Sequence, residues 1–156
     1  EMIDDLGPAW FAAKLKEDDF DVPKLLEEVG DGKFYKVESG RLHYFGVDGA
    51  YHPVERGEGV LLLRDLKLGA EPVMKNASAS LWDIGDGILC FEHTSKMNTF
   101  DEQIFELLNK TIQMIGDGKG DYKALVVYNE GSAFSAGANL GLAKYMIGIG
   151  MSQQVE

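Results

Sequence analysis

Between residues 81 and 141 the hydrophobic period changes from strand to helix and back, and that order restricts the fold more than any other feature. Leu81-Trp82-Asp83-Ile84 and Ile88-Leu89-Cys90-Phe91 flank Gly85-Asp86-Gly87, which reads as a β-hairpin with a Gly-rich turn. Ile104, Leu107, Leu108, Ile112 and Ile115 then recur at three- and four-residue steps, the stripe of an amphipathic helix. Thr99 and Glu102 have the spacing of a capping box at its start. Residues 116–120 stop it, and Ala124-Leu125-Val126-Val127-Tyr128 reads as a buried strand of β-branched and aromatic residues. Strand, helix and strand in this order imply a parallel crossover. The turn Ala133-Phe134-Ser135-Ala136-Gly137-Ala138-Asn139-Leu140-Gly141 follows, and a helix is expected over 142–149. A Gly among small residues lets the backbone approach a ligand closely. It also leaves main-chain N–H groups free for an anion or a polarised carbonyl.

The first half is more broken. Residues 8–17 read as a short helix with Pro8 in its first turn. Asp21 is the expected N-cap of a second helix, which carries Pro23 just inside, an apolar face of Leu25, Leu26 and Val29, and Gly30 as its stop. Phe34 to Val37 and Arg41 to Phe45 flank Ser39-Gly40, a second hairpin. Residues 46–59 read as a loop, 60–68 as either a short helix or a strand, and 69–80 as a linker. Tyr44, Phe45, Tyr51 and Trp82 are expected as core aromatics rather than a stacking platform.

Composition narrows the function classes. An apolar fraction of 45% supports a packed core. A formal charge of −11 argues against nucleic-acid or anionic-membrane partners, which require clustered Lys and Arg. No apolar run is long enough for a membrane span. Cys90 is the only cysteine, which excludes an internal disulfide and points to a reducing, cytoplasmic setting. His43, His52 and His93 lack partners at metal-ligand spacing, so no metal is expected. Asp117-x-Lys119-x-Asp121 begins like a calcium loop, but Tyr122 and Tyr128 stand where that loop requires Gly and Glu. Ser132 and Ser135 do not form a nucleophile elbow. No Gly-x-Gly-x-x-Gly follows a strand.

Two resemblances join these observations. Ala133–Leu140 resembles the first oxyanion-hole segment of the crotonase (enoyl-CoA hydratase/isomerase) superfamily, and Lys96-Met97-Asn98-Thr99 resembles that family's acyl-CoA-binding turn. The likeness covers roughly the N-terminal half of a crotonase domain. Gly7-Pro8-Ala9-Trp10, the helical run to Gly30, and Gly32-Lys33-Phe34-Tyr35 resemble the end of the helical C-terminal region of 3-hydroxyacyl-CoA dehydrogenases. In this order they resemble the junction of a bifunctional β-oxidation enzyme. The fold implied is α/β, α+β overall. Residues 1–68 would form a helical dehydrogenase tail, 69–80 a linker, and 81–156 the N-terminal half of a crotonase-like ββα spiral.

The resemblance also implies roles. Ala138 would supply one backbone N–H of the oxyanion hole, the second donor lying outside the chain. Lys96, Met97, Asn98, Ser135, Ala136, Gly137 and Asn139 would line the acyl-CoA site, with Lys96 near a phosphate and the main chain of Ser135 and Ala136 near the adenine end. Asn139 stands where the family commonly has Asp. The two acid–base glutamates fall outside the chain, and Glu102, Glu106 and Glu130 match neither. Coenzyme A would be present as the substrate moiety, and NAD would serve only the missing dehydrogenase portion, with no cofactor bound by this chain. The implied function is a catalytically incomplete part of an acyl-CoA enzyme. The alternative is a non-catalytic acyl-CoA-binding or oligomerisation module, since a half-domain exposes an apolar face and favours homo-oligomers.

Overall fold

The computed structural model describes residues 2–141, which mix helices with two separate β-sheets. The chain divides into two compact units, 1–70 and 71–156. The helix expected over 142–149 lies outside the described residues.

In the first unit, α1 (Met2–Leu6), α2 (Pro8–Glu17) and α3 (Lys24–Val29) precede a three-stranded antiparallel sheet. Its strands are β1 (Tyr35–Glu38), β2 (Arg41–Phe45) and β3 (Tyr51–Pro53), and a single turn, α4 (Leu63–Leu66), follows. Pro8 opens α2, where its missing N–H costs nothing. Asp21 does not cap α3. The helix begins two residues later than that cap would require, Pro23 occupies the cap position, and no side chain bonds the first N–H groups. Gly30 ends α3 with φ +53°. Ser39 and Gly40 both take positive φ (+51° and +73°), which matches the twist of a tight hairpin. The loop expected over 46–59 contains β3, where Tyr51 pairs with Phe45. Asp4 ties α1 to this sheet, accepting from the N–H groups of Phe34 (2.6 Å) and Tyr35 (2.9 Å). Ala12, Leu26 and Val29 form a small core, with Phe34 and Phe45 against it. Tyr44 is not a core residue, being 42% exposed.

The second unit holds a sheet of order β4-β5-β6-β7, with β4 (Met74–Lys75), β5 (Ala79–Asp83), β6 (Ile88–His93) and β7 (Ala124–Val127). The segment expected as linker thus contributes β4 and the start of β5. β5 and β6 form the expected hairpin. Between β6 and β7 runs α5 (Glu102–Gly116), and β6 pairs β7 in parallel, so the crossover forms as the period change requires. Ala79, Leu81, Leu89 and Phe91 pack against Ile104 and Leu107 of α5. Trp82 is buried.

Two expectations fail here. Thr99 does not cap α5; Asp101 does, accepting from the Ile104 N–H at 3.0 Å, while the Thr99 hydroxyl turns back to the Lys96 carbonyl. The β7 strand is not buried: Val126, Val127 and Tyr128 are each more than 40% exposed. It lies at the sheet edge with β6 as its one neighbour among the described residues.

Candidate functional site

In parallel strands both carboxyl ends face the same way, and ligands in such sheets gather there. Here β6 and β7 end together. β6 leads into a short 3₁₀ turn, Lys96–Asn98, and β7 into the loop 128–139. The turn reverses sharply because Met97 and Asn98 both adopt left-handed conformations, φ +57° and +54°. Asn tolerates this region and Met rarely does, a strain of the kind that gathers at functional sites.

The two segments are sewn together. Asn98 Nδ2 donates to the carbonyls of Glu130 and Ala133, each at 3.0 Å. The Ala136 N–H donates to the Met97 carbonyl at 3.1 Å. Phe100 and Ala138 then form an isolated parallel bridge. In it the Phe100 N–H donates to the Gly137 carbonyl (2.8 Å), and the Asn139 N–H donates to the Phe100 carbonyl (2.9 Å). Such a bridge engages the residues flanking Ala138. Because main-chain groups alternate sides along an extended chain, the Ala138 N–H faces away from Phe100. It has no backbone acceptor among the described residues, and Ala138 is exposed.

Residues 140 and 141 are helical, and Asn139 caps them by accepting from the Gly141 N–H at 3.0 Å. An Asp would accept in the same way, so Asn at this position keeps the cap. Gly137, at φ +88°, occupies backbone space that a side chain rarely tolerates. Its N–H is held by the Ser135 hydroxyl at 3.0 Å.

The residues singled out in the sequence therefore come together: Lys96, Met97 and Asn98 line one side, and Ser135, Ala136, Gly137, Ala138 and Asn139 the other. The Ala136 N–H is spent on Met97. Lys96 is exposed and makes no ion pair among the described residues. Glu102 and Glu106 sit on α5, where Glu106 pairs with Lys110 on the exposed face. No three potential metal ligands cluster among the described residues. No described helix is long and apolar enough to cross a membrane.

Two residues of this region carry no signal in the motif reading. Asn129 is 8% exposed, accepts from the His93 N–H at 2.7 Å and donates to the Phe134 carbonyl at 2.6 Å. His93 is buried beneath the turn, its Nδ1 3.3 Å from the Asn98 carbonyl and its ring edge-on to Phe100 at 4.7 Å. The available signal was an Asn directly after a strand of β-branched and aromatic residues, where its side-chain amide can end a ladder.

The first unit has clefts of its own. One of about 410 Å³ is bordered by Tyr35, Leu42, Arg56 and Asp65. Its guanidinium is committed, since Arg56 grips Asp65 through Nε (2.7 Å) and Nη2 (3.1 Å). That hydrogen bonding holds the Asp65 carboxyl below its ordinary value of 3.8. In this cleft Arg56 and Asp65 are engaged with each other, so the loop 128–139 remains the better candidate.

No protein-family model matches the chain, and no solved structure does. Among curated proteins it is similar to a probable 3-hydroxyacyl-CoA dehydrogenase of Bacillus subtilis (strain 168), at 32% identity over 145 residues. The match covers 91% of this chain and 18% of that relative, so the chain spans less than a fifth of the length of the curated protein to which it is similar.

Proposed function

We propose that this chain is part of a fatty-acid oxidation enzyme acting on acyl-CoA thioesters, and that its second unit carries a half-built crotonase-like thioester site. The observation that carries this reading is the Phe100–Ala138 bridge, which turns the Ala138 N–H outward beside the Lys96–Asn98 turn. Chemistry at the carbon next to a thioester carbonyl develops negative charge on the carbonyl oxygen. A fixed N–H donor stabilises that charge, and losing one such donor typically costs about 3 kcal/mol of barrier. Lys96, exposed at this turn, would meet a CoA phosphate as a point charge. Similarity to the Bacillus dehydrogenase along 91% of the chain supports the same metabolic setting. On this reading residues 1–68 are the tail of a 3-hydroxyacyl-CoA dehydrogenase region whose NAD-binding part is elsewhere.

On the crotonase resemblance no described residue matches the acid–base glutamates or the second oxyanion donor, so this chain is expected to bind without turning over. Calorimetric titration with a short enoyl-CoA, followed by its enone absorbance, tests both halves. Binding with no loss of absorbance is the expected result. Hydration would remove the incompleteness, and absence of binding would remove the site. One observation favours the second reading, an oligomerisation module: β7 has no second strand partner among the described residues, and Val126 and Val127, with Tyr128 just beyond it, are exposed there.

A further inference from the structure

We infer that Asn98 and Asn129 are positioning residues that aim the Ala138 N–H, an inference that rests on the thioester site proposed above. The β6–β7 ladder runs to the Tyr128 N–H, which donates to the Phe91 carbonyl at 3.0 Å. The next rung, from the His93 N–H, is taken by the Asn129 side chain instead of main chain. The loop backbone is thereby released from the sheet at Asn129, and the same amide catches it again at Phe134. Within that interval Asn98 holds Glu130 and Ala133, the two ends of a reversal in which Gly131 takes φ +113°. Two side chains thus satisfy the carbonyls of residues 130, 133 and 134. Only then does the chain meet Met97 and Phe100 through Ala136, Gly137 and Asn139.

Only an amide suits either position. Asn98 uses Nδ2 as a donor twice, which a carboxylate cannot do. Asn129 uses both ends of its amide, and Asp would keep the acceptor but lose the donor. Asn98 is itself steadied by the buried His93 ring below its carbonyl.

The test uses the purified chain and an α,β-unsaturated CoA thioester whose conjugated chromophore moves to longer wavelength when its carbonyl accepts a hydrogen bond. The original chain is expected to bind and show that shift. Asn129→Asp is expected to bind with a Kd within about threefold but to lose most of the shift, the split that marks orientation rather than uniform binding. Circular dichroism checks that the variant is folded. If it is not, Asn129→Ser, too short to bridge His93 and Phe134, is read in the same way. A full shift in a folded Asn129 variant overturns the positioning role, as does a shift lost only in proportion to lost affinity. Absence of any binding by the original chain overturns the thioester site itself and the inference with it, so the two failures are distinct.

Discussion

Asp101 does at one position what Thr99 and Glu102 suggested in the sequence. Its Oδ1 accepts from the Ile104 N–H, and its Oδ2 accepts from the Ser78 hydroxyl at 2.6 Å, so one carboxylate caps α5 and ties it to β5's approach. Asp101→Ala is expected to cost about 1–2 kcal/mol in urea unfolding, the range for losing an N-cap. Thr99→Ala, whose hydroxyl serves only the 3₁₀ turn, should leave the helix signal unchanged. A second residue-scale expectation concerns Asp65, whose carboxyl Arg56 holds below 3.8. A depressed carboxylate contributes stability that is present above its unfolded value and lost as pH falls through the folded one. Arg56→Met removes the donors and the charge, so the Asp65 carboxyl carbon, followed by NMR, should titrate closer to its ordinary value. The acid-side loss of stability should disappear with it. An unchanged Asp65 titration would contradict the cause given.

At the scale of elements, α5 shows how a helix chooses its buried face. Ile104, Leu107 and Thr111 are buried, and Ile112 is 56% exposed. The apolar pattern alone favours Ile112, but one residue is 100° of rotation in a helix with 3.6 residues per turn. Thr111 can be buried because its hydroxyl donates to the Leu107 carbonyl at 2.8 Å. Leu107→Ala should therefore cost about 2–5 kcal/mol. Ile112→Ala should stay within about 0.5 kcal/mol. Equal costs in chemical denaturation would mean that the helix is rotated from the arrangement described. The β7 strand teaches the same lesson from a sheet: a β-branched run predicts a strand, yet exposure depends on what lies beside it, and β6 is its one partner among the described residues.

For the whole molecule, the two units differ in how much each can bury. The first has three buried residues in its core cluster, and the second has six. Small cores leave little margin over chain entropy. Each unit carries one tryptophan, Trp10 in the first and Trp82 in the second. Trp82→Phe leaves Trp10 as the reporter, and Trp10→Phe leaves Trp82. The Trp10 fluorescence transition is expected at lower denaturant than the Trp82 transition, and Leu26→Ala should move only the former. Coincident transitions that move together would show that the chain unfolds as one cooperative body.

The sequence by itself determined the parts whose causes lie within a few residues. The hairpins at Ser39-Gly40 and Gly85-Asp86-Gly87 follow from residues that accept positive φ, and the span of α2 from Pro8 and its short apolar run. The stripe of α5 and the strand after it were legible as a change of period, and so was the crossover they form. The motif residues 96–98 and 133–141 were legible as a candidate site because small residues and Gly favour close backbone approach. Tertiary structure decided the rest. The Asn98 bonds to Glu130 and Ala133 join positions 32 and 35 residues apart, and the Asn129 bond to His93 spans 36. No local pattern encodes such pairings, because an amide's partners depend on which strand ends the fold brings side by side. The direction of the Ala138 N–H is decided in the same way, by a bridge to Phe100 that exists only once β6 and β7 lie parallel.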